Sequence, residues 1–99
     1  MMPADVMALV ANVCGVAVAD MQSHTRDRSA VNARTITVML LIEESVCNTE
    51  IRKLFPLLGR VSVLYVCRYR FDELITSDKQ FQRLYLACIG CYCEAIGDY

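Results

Sequence analysis

The chain has 99 residues, with 10 basic against 11 acidic side chains, a formal net charge of −1 and 56% apolar residues. This is one domain's length, too apolar for a disordered chain and too nearly neutral to carry the electrostatic footprint of a nucleic-acid binder. So small a chain cannot easily bury that much apolar surface, and part of it is expected to face a partner.

In chain order, Pro3 suits a first helical turn, where its missing N–H costs nothing. Val6, Leu9, Val10, Val13, Ala17 and Met21 then recur at helical spacing, which predicts a helix over Pro3–Gln22. The same stretch has a competing reading. Val6–Val18 ends in Ala17-Val18-Ala19, a signal-peptidase-like site, but Asp5 precedes the run, no basic residue does, and cleavage would leave an odd number of cysteines. The helix reading is preferred. Ser23–Ala33 is polar and carries Arg26 and Arg28, followed by Arg34, and reads as a solvated loop. Residues 35–47 are ambiguous. Thr35-Ile36-Thr37-Val38 favours a strand on propensity, while Ile36, Met39, Leu40 and Cys47 fit one helical face with Asn32 or Thr35 as cap. A helix is expected from Asn48-Thr49-Glu50, ended or kinked by Pro56, with Gly59 as a cap or kink. Val61–Phe71 is again ambiguous, and Asp72–Thr76 reads as a connection.

The last quarter is the most distinctive. Ser77 with Gln80 has the capping-box pattern, and Phe81, Leu84, Tyr85, Cys88, Cys91, Tyr92 and Ala95 share one helical face. Leu86, Ile89, Cys93 and Ile96 make the opposite side apolar too, and a helix apolar all round is expected to be surrounded. Two architectures stay open. One is an all-α bundle of about five helices around a central C-terminal helix. The other is a small α/β domain with strands near 35–42 and 61–69, whose exposed edges would pair between subunits. No run reaches the roughly 18 apolar residues of a membrane span. The six cysteines, at 14, 47, 67, 88, 91 and 93, lie mostly in apolar runs and read as buried thiols of a cytoplasmic or nuclear protein.

Several short phrases resemble the first half of a cyclin box, and most closely the phosphate-pathway cyclins that regulate kinases in fungi and protists. Ile36-Thr37-Val38 is similar to the motif that opens the first helix of the box. Val63-Leu64-Tyr65-Val66-Cys67-Arg68 is similar to the second-helix phrase. Ile75-Thr76-Ser77 leading to Arg83-Leu84-Tyr85-Leu86-Ala87-Cys88 is similar to the opening of the third helix. The resemblance implies an all-α domain over residues 1–99, a non-catalytic role and a cyclin-dependent kinase as partner. It also implies that the third helix is the one wrapped by the others, and it places Arg68, Glu94 and Asp98 at partner-contact or structural positions. Glu94 stands where the family has a Lys that bonds the kinase backbone, and Cys67 where it has an Asp. Binding without the usual activation is therefore expected.

Alternative chemistries carry less. Cys88, Cys91 and Cys93 could supply three ligands of a zinc adaptor, but no second CxxC completes the set, and on a helix Cys93 points away from the other two. His24 is the only histidine, with no local argument for a cysteine beside it, and Glu43-Glu44 cannot face each other on a helix. No catalytic residue, metal or cofactor is expected. Tyr65, Tyr69, Phe71, Tyr85, Tyr92 and Tyr99 give the C-terminal half an aromatic bias; most are expected in the core and a few, with Arg68 and Arg70, at an interface, where Tyr and Arg are enriched, so the partners expected are a protein or a second copy of the chain.

Overall fold

The computed structural model describes residues 1–58 and 62–97, so Gly59 and Tyr99 lie outside the described residues. The chain is all-α. Among the described residues six helices run in the order α1 (Pro3–Cys14), α2 (Val18–Met21), α3 (Arg28–Glu43), α4 (Asn48–Lys53), α5 (Ser62–Ser77) and α6 (Lys79–Ile96). Among the described residues there is no strand.

α1 opens on Pro3, and the Met2 backbone N–H donates to Asp5 Oδ2 at 3.1 Å, placing a carboxylate at the positive end of the helix. The expected single helix to Gln22 is instead two. Gly15 adopts φ 70°, its N–H donates to Asn12 O (3.3 Å) and the Val16 N–H to Ala11 O (3.0 Å). That pair of bonds satisfies the last carbonyls of α1 and turns the chain, so α2 begins afresh after it. Arg34 then ties the end of α2 to α3. Its Nε donates to Met21 O and its Nη2 to Ser23 O, both at 2.8 Å.

α3 settles the first ambiguous stretch as helix, and it starts earlier than the expected loop allows. Asp27 caps it, with Oδ1 accepting from Ser29 N at 3.3 Å, and Ala30 and Ala33 are fully buried. The β-branched run is tolerated because burial outweighs propensity. Thr35, Ile36, Thr37 and Val38 are consecutive and all buried, so every side of this helix is covered. The two threonine hydroxyls donate back to Val31 O and Ala33 O, each at 2.9 Å, which leaves no unpaired polar atom there.

α3 packs against each of the other five helices and is the centre of the bundle. The central position expected for the C-terminal helix is thus corrected. α6 buries Phe81, Tyr85, Cys88 and Tyr92 along one face, while Leu86 and Ile96 are exposed at 64% and 40%. Its apolar outer face is uncovered surface rather than core.

α5 extends through the expected connection to Ser77, and only Asp78 separates it from α6. The cap of α6 is Asp78, whose Oδ1 accepts from Phe81 N at 3.1 Å. Ser77 instead closes α5 by donating to Glu73 O at 2.7 Å. The α5–α6 hairpin is held by Phe71, which meets Phe81 and Tyr85 edge-on at centroid distances of 5.9 and 4.8 Å. α4 ends before Pro56 as expected, and Ile51 and Phe55 anchor it in the core. Its end is also held by Gln22 Nε2, which donates to Leu54 O at 2.7 Å.

Candidate functional site

α5 presents two chemistries because it has one covered side. Val63, Leu64 and Cys67 turn inward, which forces Tyr65, Val66, Arg68 and Tyr69 outward. Tyr65 is 73% exposed and Tyr69 64%, and they stand one helical turn apart on the same face. Leu64, Arg68 and Asp72 form the adjacent row, and Ile42 from α3 with Asn48 and Arg52 from α4 closes the opposite wall. Together they line an open groove of about 480 Å³. Among the described residues the one ion pair is Lys53–Glu50, at 3.2 Å. Arg52, Arg68 and Asp72 therefore present their charges to solvent in the groove.

Of the three partner-contact residues implied by the sequence, the groove contains Arg68 alone. Glu94 is exposed near the end of α6 and does not line it, and Asp98 lies outside the described residues. Arg70, read as an interface residue, points elsewhere. It is half-buried, its Nε has no hydrogen-bond partner, and its charge acts on Arg34 and Cys67 across the α3–α5 contact. Tyr85 and Tyr92 belong to the core. Sequence reasoning missed Ile42, Asn48, Arg52 and Asp72, since no local pattern links α4 to α5. The only available hint was that Arg52 falls on the solvent side of a helix whose apolar residue is Ile51.

The remaining candidates separate. Cys88 is buried, Cys91 exposed and Cys93 half-buried, and among the described residues no group of three His, Cys, Asp or Glu side chains converges to hold a metal ion. His24 and Cys67 border a smaller depression of about 210 Å³ on the other flank of α5. Burial pushes the Cys67 thiol up to about 11, against the nearby charge of Arg34, so it is protonated at neutral pH and is not a ready nucleophile. Glu43 and Glu44 reach different tyrosines of α6. Tyr85 is hydrogen-bonded to Glu43, while Tyr92, lifted above the usual phenol range first by burial, feels Glu44. No helix among the described residues is long and apolar enough to cross a membrane.

No family model matches the chain, and neither a curated protein nor a solved structure matches it.

Proposed function

We propose that this chain is a non-catalytic protein-interaction module that docks a helical protein partner along the α4–α5 groove. The observation that carries the reading is the exposed Tyr65–Tyr69 pair flanking Arg68. Exposed tyrosines on a rigid helix cost little conformational entropy to bury, and Tyr and Arg dominate the energetics of interfaces. An open groove with apolar floor residues and charged rims suits a protein surface better than a small substrate. The partner class implied by the sequence resemblance is a cyclin-dependent kinase, bound without the activating contact that Glu94 replaces. A cytoplasmic or nuclear location fits such a partner and six unpaired cysteines.

Calorimetric titration of a purified cyclin-dependent kinase into the chain tests this. Micromolar or tighter binding is expected, weakened at least roughly tenfold in Tyr65→Ala/Tyr69→Ala, with Glu94→Lys binding no more weakly than the parent. Absence of binding by a chain that is helical by circular dichroism overturns the kinase assignment. Binding that ignores the double substitution overturns the groove. A second copy as occupant would be read in the same samples as a sedimenting dimer that Tyr65→Ala dissociates.

A further inference from the structure

α6 packs against α1, α3 and α5, and its buried residues are Phe81, Tyr85, Cys88 and Tyr92. At about 100° per residue, the direction opposite to those four falls on Gly90, and Arg83, Leu86 and Glu94 stand within about 40° of it. All four are exposed, Leu86 at 64%. Charge is segregated along this outer face. Exposed Lys79 and Arg83 occupy its N-terminal half and Glu94 its C-terminal half, and among the described residues none of the three forms an ion pair. The face shares no residue with the lining of the α4–α5 groove.

Gly90 adds a separate observation. It lies inside α6 without the positive φ of Gly15 and Gly97, and a Cβ there would meet nothing within 4 Å. Glycine weakens a helix relative to alanine, so nothing within the chain favours it at this position. What a glycine does offer on an exposed helix face is close approach by another chain.

We propose that the outer face of α6 binds a second copy of itself, antiparallel, about a two-fold axis that passes between Cys88 and Ile89. The charges set this register. With Arg83 opposite the partner's Glu94, two-fold symmetry sets Glu94 opposite the partner's Arg83, so each contact is made twice. The same register brings Ala87 opposite the partner's Gly90 and Leu86 one residue's rise, about 1.5 Å, along from it. Leu86 then fills the space that the partner's Gly90 leaves by lacking a Cβ, and the exposed leucine of each chain is covered. A parallel pair would set Arg83 on Arg83 and Glu94 on Glu94, so the charge pattern selects the antiparallel arrangement. A second copy carries the matching basic-to-acidic pattern by symmetry, whereas an unrelated partner has to supply it.

Sedimentation equilibrium of the full chain, held in reductant because Cys91 is exposed, tests this. A reversible dimer with Kd on the order of 10 μM is expected, since one helix face is at the small end of stable interfaces. Gly90→Gln is expected to weaken the dimer at least roughly tenfold while raising the urea midpoint of dilute, monomeric samples, because glutamine is the better helix former and has open space there. A merely structural glycine would not move the two readouts in opposite directions. Arg83→Glu and Glu94→Lys are each expected to weaken association about tenfold, and an equal mixture of the two variants to dimerise as tightly as the parent, because each then meets its opposite charge. A chain that remains monomeric at roughly ten times the expected Kd overturns the proposal. So does a dimer that Gly90→Gln leaves intact, a mixture of the charge variants that fails to recover association, or a dimer that Tyr65→Ala/Tyr69→Ala dissociates, which would move the contact to the α4–α5 groove.

Discussion

The Tyr85 hydroxyl donates to Glu43 Oε1 at 3.0 Å, joining residues 42 apart and fastening the middle of α6 to the last residue of α3. Tyr85 is 8% exposed and Glu43 is exposed, so the bond crosses the edge of the core. Burial, then the hydrogen bond to Glu43 and its charge, push the Tyr85 phenol up to about 12 from its ordinary value of 10.0.

Tyr85→Phe keeps the ring against Phe71 and removes only the hydroxyl. Water can solvate the exposed Glu43 carboxylate left behind, so the cost near pH 7 is expected to be about 1 kcal/mol in urea unfolding. The pH dependence has a definite sign. Between about pH 10 and 12 the unfolded chain has released the Tyr85 proton while the folded chain still holds it. The stability that this proton represents is complete below pH 10 and is lost as pH rises to about 12, at most on the order of 2 kcal/mol. Unfolding curves of the parent and Tyr85→Phe should therefore converge over that window. Curves that stay parallel would mean that the phenol is not held protonated by this contact.

Two helix ends share one geometry with different residues. Gly15 ends α1 at φ 70°, and Ser45 stands beyond α3 at φ 62°, with the Ser45 N–H donating to Ile42 O and the Val46 N–H to Leu41 O, both at 3.0 Å. A Cβ at Gly15 would meet nothing within 4 Å, so Gly15→Ala exposes the backbone cost alone, about 1 kcal/mol. Ser45 already carries that strain, and Ser45→Gly is expected to raise stability by up to about 1 kcal/mol. Urea midpoints moving in opposite directions at an unchanged slope would establish both.

Asp78 is the single non-helical residue between α5 and α6, and its carboxylate serves the α6 start. Asp78→Ala is expected to cost about 1 kcal/mol, and Ser77→Ala less than about half of that, because the exposed Ser77 hydroxyl only doubles a helical carbonyl's bonding. Paired thermal melts check the order. A larger loss at Ser77 would restore the capping box that Ser77 and Gln80 suggest in the sequence.

The sequence was most informative where a residue acts on its own neighbours. Pro3 marks the start of α1, the Asn48-Thr49-Glu50 run starts α4, and Pro56 lies just beyond its end. Phe81, Tyr85, Cys88 and Tyr92 were legible as the inner face of α6 because their spacing matches the helical period. Gly15 was read through, since a glycine inside a periodic apolar run becomes a stop only when its backbone adopts positive φ.

Local pattern determined that this chain builds helices with apolar faces, and it could not rank those helices by their surroundings. Residues 35–38 include two threonines and are less apolar than residues 86–96, yet four consecutive buried side chains put α3 at the centre, while Leu86 and Ile96 remain uncovered on α6. Apolarity states what a side chain gains from being covered, whereas covering depends on which other helices have surface left to give. The groove follows the same logic. Arg68 and a few of the C-terminal aromatics could be named as interface types from sequence, but exposure singles out Tyr65 and Tyr69, and the wall of Ile42, Asn48 and Arg52 comes from two other helices and exists only once α4 packs beside α5.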